Sequence, residues 1–102
     1  MEKPSSASAR LGRFLKEKRK HAGFSQADVS QRLAYASHQF ISNWERGVSA
    51  PPAKIIVELA RLYEVETEVL FSHLLAFTFE QVERNMTKEV FGRPSSKTRS
   101  IR

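Results

Sequence analysis

Residues 25–52 read SQADVSQRLAYASHQFISNWERGVSAPP, and the reading of this stretch decides the fold. Ser25 is an N-cap residue, and Val29 and Leu33 follow it at helical spacing, so a short helix begins there. Residues 34–37 read as a turn. Ser37 is a second N-cap, and the helix it opens runs to Gly47. On a wheel of about 100° per residue, Phe40, Ile41 and Trp44 fall on one side of that helix. Gln39, Ser42, Asn43 and Arg46 fall on the other, with His38 at its edge. The apolar side has to pack on the rest of the domain. The outward side then carries amide, hydroxyl and guanidinium groups and no carboxylate. An amide offers a donor and an acceptor together to an adenine edge, and a guanidinium pairs with guanine or with phosphate. A polar outer face is also what an ordinary solvated helix shows, so the wheel by itself leaves both readings open.

Helices extend outward from this pair in both directions. From about Ser8, Leu11, Phe14 and Leu15 recur at i, i+3 and i+4, with Lys18, Arg19 and Lys20 in the closing turns and Gly23 as the stop. Downstream, Ala50-Pro51-Pro52 opens a fourth helix with proline in its first turn, and Ile55, Ile56, Leu59 and Leu62 supply its buried stripe. A fifth helix starts near Glu66–Thr67 and meets no breaker until Gly92 and Pro94. Its first stripe, Leu70, Leu74 and Phe77, closes the core. A second stripe of Leu75, Phe79, Val82, Met86 and Val90, at spacings of 4, 3, 4 and 4, continues beyond it. The expected fold class is all-α: five helices with an extended last one, no strand and no internal repeat. The expected organisation is a flexible arm over 1–8, a domain over 9–78, a helical extension over 79–91 and a basic disordered tail over 92–102.

Charge is unevenly spread. The 102 residues carry a net charge of +6. Residues 1–24 hold seven Lys and Arg against two acids, residues 51–91 hold four against seven, and residues 92–102 hold four against none. Basic ends suit a polyanion as well as they suit solvent. Cysteine is absent, which removes disulfides, thiolate metal sites and cysteine nucleophiles, and favours an intracellular setting for so small a chain. The opening MEKPSSASAR has no apolar core of a secretory signal, and the apolar run from Val69 to Phe79 is too short to span a bilayer, so no membrane association is expected. His21 and His73 lack metal-like neighbours, and Glu64, Glu66 and Glu68 sit where a helix start favours negative charge. No Gly-rich phosphate loop or nucleophile elbow is present. The expectation is a non-enzyme with no metal, no cofactor and no small-molecule ligand.

Taken together, Ser25-Gln26, Val29-Ser30, Leu33, Ile41-Ser42 and Glu45-Arg46-Gly47 resemble the helix-turn-helix of the Cro/phage-repressor (XRE) family. The resemblance runs from about Leu11 to the Leu-Phe pair at 70–71. It implies a sequence-specific regulator of transcription that binds double-stranded DNA, acts by default as a repressor and works in the cytoplasm at the nucleoid. By the same resemblance Gln26 contacts a phosphate and buttresses the recognition helix. Ser37, His38, Gln39, Ser42 and Asn43 lie in the groove, Arg46 grips the backbone, and Arg19 and Glu45 form a partly buried ion bridge. Two departures bear on these assignments. The segment 34–37 is one residue longer than the family's usual turn, which leaves the start of the recognition helix open by one residue and bears most on His38. Phe40 stands where the family carries a small or hydroxylic residue. The wheel favours packing for it, with contact to a thymine methyl as the other reading. The second stripe must be buried against its own domain, a different protein or a second copy. A homodimer through Leu75, Phe79, Val82, Met86 and Val90 is preferred, because a two-fold dimer reads two half-sites about one helical turn apart. The alternative function is a protein-interaction adaptor that works through the fifth helix.

Overall fold

The computed structural model describes residues 6–92, so the expectations for residues 1–5 and 93–102 lie outside the described residues. Five α-helices follow one another: α1 Ala7–His21, α2 Gln26–Arg32, α3 Gln39–Glu45, α4 Ile56–Tyr63 and α5 Thr67–Phe91. There is no strand among the described residues. The all-α, five-helix expectation is met.

The first two helices are capped by side chains. The Ser6 hydroxyl accepts the Ala9 N–H at 3.1 Å, and the carboxylate of Glu80, far along α5, accepts the Ala7 and Ser8 N–H groups at 3.2 and 3.0 Å. Three backbone donors that α1 cannot satisfy internally are thereby paired, two of them by a negative charge at the helix's positive end. Ser25 and Asp28 form a reciprocal capping box at α2, with bonds of 3.0 and 2.9 Å. Those bonds hold the Asp28 carboxyl below its ordinary pKa. The fourth helix departs from expectation. Pro52 is extended, Ala53–Ile55 form a single 3-10 turn, and α4 proper begins only at Ile56. The Ile55 N–H closes on the Pro52 carbonyl at 3.1 Å, the tight i+3 bond that commonly precedes an α-helix.

The core is built from Leu11 and Leu15 of α1, Val29 of α2, Ile41 and Trp44 of α3, Ile56, Leu59 and Tyr63 of α4, and Leu70, Leu74 and Phe77 of α5. The first stripe of α5 therefore does close the core. Ile55 and Leu62, expected in the α4 stripe, are only half-buried, and Tyr63 is buried with Ile56 and Leu59 instead.

Helices α1 and α3 meet backbone to backbone. A Cβ placed on Gly12 would lie 2.3 Å from the Glu45 carbonyl oxygen, so only glycine lets α1 pass the last turn of α3. Gly47, just past that turn, has φ +76, and a Cβ there would sit 3.1 Å from the Ser8 carbonyl. On the other side of α1, Phe14 stacks on His73 of α5 with centroids 4.3 Å apart. Burial holds the His73 pKa below its ordinary value, and the nearby Arg10 charge adds to the effect.

Two outcomes are expected. An alanine in place of glycine inside an unobstructed helix adds up to about 1 kcal/mol of stability. Gly12→Ala should instead lower the unfolding free energy in urea by about 1–3 kcal/mol, because the added methyl collides with backbone. For His73 the folded state prefers the neutral ring. Its stability contribution is complete above the ordinary histidine value of 6.5 and is lost as pH falls through that value towards the lower folded one. The melting temperature should drop between pH 7.5 and pH 5.5, and His73→Phe, which keeps the stack, should flatten that drop.

Candidate nucleic-acid interface

The recognition-helix candidate, α3, is held from behind by one buried charge cluster. The Arg19 Nε donates to Glu45 Oε2 at 2.6 Å, and Nη2 donates to Oε1 at 3.0 Å. The two side chains are 8% and 3% exposed. Arg19 Nη1 donates to the Phe24 carbonyl at 2.8 Å, and Gln26 Nε2 donates to Glu45 Oε1 at 3.0 Å. One carboxylate at the end of α3 thus joins α1, the α1–α2 turn and α2. These hydrogen bonds raise the Arg19 pKa against the opposing effect of burial. Tyr63 of α4 lies close to the pair, and burial, reinforced by the Glu45 charge, pushes its phenol well above the ordinary value. The expected Arg19–Glu45 pair is present, and Gln26 bonds to the same carboxylate.

The turn before α3 explains where that helix begins. Ala34 adopts a left-handed backbone with φ +62, and the Tyr35 N–H returns to the Ser30 carbonyl at 2.8 Å. Ser37, the expected cap, stands one residue ahead of the cap position, where its hydroxyl accepts the Gln39 N–H at 2.9 Å. The residue flanking the helix is His38, however, whose carbonyl accepts from Ser42, and the first helical residue is Gln39. His38 is therefore exposed at the mouth of the helix and outside its first turn. Arg46 sits just past the other end, on the residue that follows Glu45.

On the outer side of α3 three side chains form one connected edge. Asn43 Oδ1 accepts from Gln39 Nε2 at 3.0 Å and from Arg46 Nη2 at 2.7 Å. Gln39 and Arg46 are exposed, and Asn43 and Ser42 are half-buried beside them. With both lone pairs of its oxygen engaged, Asn43 offers its Nδ2 donors outward, whereas Gln39 keeps a free carbonyl oxygen and one N–H. Phe40 differs from its expected place. It is 46% exposed and packs on Tyr35 of the turn, centroids 4.9 Å apart and nearly parallel, while Tyr35 meets the buried Trp44 edge-on at 5.6 Å. Phe40 therefore flanks the polar edge on an aromatic base rather than entering the core. Sequence reading did not find Gly12, Tyr35 or Glu80. A glycine on the apolar side of α1 was the available signal for the first.

Leu75, Phe79, Val82, Met86 and Val90 are 54, 71, 47, 60 and 69% exposed, so nothing in the described chain covers the second stripe. No described helix is long and apolar enough to cross a membrane, and no group of three or more His, Cys, Asp or Glu among the described residues could hold a metal ion.

Residues 10–74 match the family described as a helix-turn-helix domain, and the chain belongs to that family. Among curated proteins, the HTH-type transcriptional regulator ImmR of Bacillus subtilis (strain 168) is similar: 35% identical over 60 residues, which are 59% of this chain and 46% of that protein. The chain spans about half the length of the curated relative it matches. The family match over residues 10–74 runs from within α1 into α5 and includes every residue of the polar edge and of the charge cluster behind it.

Removing one member of the cluster strands the other in a buried place. Arg19→Ala and Glu45→Ala should each destabilise the fold by about 3 kcal/mol or more in chemical denaturation. The double variant should cost clearly less than the sum, and strictly additive losses would show that the pair is not coupled.

Proposed function

We propose that the chain is a sequence-specific regulator of transcription that binds double-stranded DNA by laying α3 in the major groove. The observation that carries this reading is the polar edge of Gln39, Asn43 and Arg46 on one exposed helix face, connected, carboxylate-free and braced from inside by Glu45. An α-helix fits the major groove, and these side chain types pair with base edges there. In this reading Gln39, with donor and acceptor both available, reads an adenine. Asn43 and Ser42 contact the groove beside it, Ser37 and His38 meet the backbone or the first base at the helix mouth, and Arg46 and Gln26 grip phosphates. The name of the Bacillus relative points the same way. Repression by occupying a promoter is the proposed mode, with the nucleoid as its place of action. Residues 9–78 are proposed as the DNA-binding unit, 79–91 as an arm, and residues 1–8 and the basic segment 92–102 as flanks.

Fluorescence anisotropy with labelled duplexes tests this, after the preferred site has been selected from a random pool. Affinity should fall with salt, log affinity against log salt steepening by about 0.9 for each phosphate neutralised. Gln39→Ala should cost about 1–3 kcal/mol on the preferred site and far less on random duplex, whereas Arg46→Ala should weaken both to a similar degree. A folded protein that binds no duplex at low salt would refute the proposal.

A further inference from the structure

The polar edge of α3 has an apolar neighbour that the proposed contacts leave unused. On a wheel of about 100° per residue, Phe40 falls between Asn43 of the edge and the buried Trp44. Ile41 and Trp44, the other large apolar residues of α3, are buried, whereas Phe40 keeps almost half of its surface in water. Its ring is nonetheless seated. It lies nearly parallel to Tyr35 at 4.9 Å, and Tyr35 stands edge-on to Trp44 at 5.6 Å. The left-handed backbone at Ala34 and the bond from the Tyr35 N–H to the Ser30 carbonyl put Tyr35 in that place. Three rings in contact tie the exposed one to the core, so its orientation is set before a partner arrives. Phe40 stands where the family pattern has a small or hydroxylic residue, so this ledge is a feature of the present chain.

We infer that Phe40, seated on Tyr35, is a specificity-determining residue that takes the C5-methyl group of a pyrimidine. The chain then discriminates a methylated from an unmethylated C5 at that position of its site. The inference rests on the proposed placement of α3 in the major groove. There the base edges present hydrogen-bond donors and acceptors, and the apolar group among them is the C5-methyl of thymine. A cytosine methylated at C5 carries the same group in the same place. A phosphate calls for a donor or a cation, and a phenyl ring supplies neither. Ring and methyl both leave water when they meet, and no hydrogen bond is given up on either side. Gln39 and Phe40 are consecutive, with Cα atoms about 3.8 Å apart, and base pairs follow one another at about 3.4 Å. The methyl therefore belongs to the base pair whose adenine Gln39 meets, or to a neighbour of it. An amide that reads donor and acceptor and a ring that reads a methyl divide the work between them.

The test removes one group from the DNA and one side chain from the protein, and reads both by fluorescence anisotropy on the duplex selected from a random pool. Each thymine is replaced in turn by deoxyuridine, which lacks only the methyl. Each cytosine is replaced in turn by 5-methylcytosine, which only adds it. For the full chain, loss of the methyl at the recognised thymine should weaken binding about fourfold, the share of one buried methyl group. Phe40→Ala, folded by circular dichroism, should bind the thymine and uracil duplexes equally. The ratio is taken within each protein, so a general loss of affinity in the variant does not enter it. A drop at uracil assigns the methyl to thymine. A gain at a 5-methylcytosine without any drop at uracil assigns it to methylated cytosine, and in either case Phe40→Ala should abolish the difference. Indifference to both replacements, or a ratio that survives Phe40→Ala, would overturn the inference. A chain that still binds its selected duplex with such indifference leaves the proposed DNA binding standing, whereas a folded chain that binds no duplex fails that reading and this one with it.

Discussion

The arrangement of this domain hangs on a single carboxylate. Glu45 closes α3, and its two oxygens accept from Arg19 on α1 and Gln26 on α2, while the rest of the Arg19 fork ties the α1–α2 turn. Burying two charges is costly unless the geometry is close and the remaining donors are satisfied, and here both conditions hold. The bond lengths of 2.6–3.0 Å, a bidentate approach and a third donor on the carboxylate leave no charged atom stranded. Its value is positional. The helices α2 and α3 are seven residues each, too short to be stable alone, so their mutual angle has to come from outside. A fork with directional bonds sets that angle more sharply than apolar packing, which tolerates sliding.

The second constraint acts at the opposite end of α1. Gly12 allows α1 to touch the backbone of α3, and Glu80 of α5 caps the first turn of α1. Helix α1 is thus clamped to the recognition-helix candidate on one side and to the long helix on the other. The Phe14–His73 stack adds a further contact between α1 and α5. Beyond Glu80 the helix leaves the domain, which gives the described chain its long dimension of 53 Å.

What could be read from the sequence was what is local. The start of α2 follows from Ser25, helix ends follow from Gly47 and Gly92, and the core stripes of α1 and α5 follow from spacing. The pair at Arg19 and Glu45 followed from the family resemblance and not from spacing, because 26 residues separate them. Three features escaped for one shared reason, that each depends on a contact between distant segments. Gly12 reads as a weak helix residue until α3 is laid against it. Glu80 reads as a solvated charge until the start of α1 arrives beside it. Phe40 reads as core on a wheel, but the lengthened turn, with Ala34 left-handed, brings Tyr35 beneath the helix, and Phe40 rests on that ring instead. The 3-10 turn before α4 was missed on other grounds, since proline in a first turn suits either kind of helix.

The polar edge shows why residue type alone underdetermines its chemistry. Gln39 and Asn43 carry the same amide, and on the wheel they are equivalent. In the fold they are not, because Asn43 has given its oxygen to two neighbours and Gln39 has kept its own. A bidentate contact with adenine requires an acceptor and a donor on one amide. Gln39 meets that requirement as it stands, and Asn43 meets it only by releasing Gln39 or Arg46. The same bonds also restrict the rotamers of all three side chains, so less conformational entropy remains to be lost when the edge meets a partner. In the proposed reading, an edge ordered in this way serves discrimination between bases, whereas free lysines would serve simple adhesion to a polyanion.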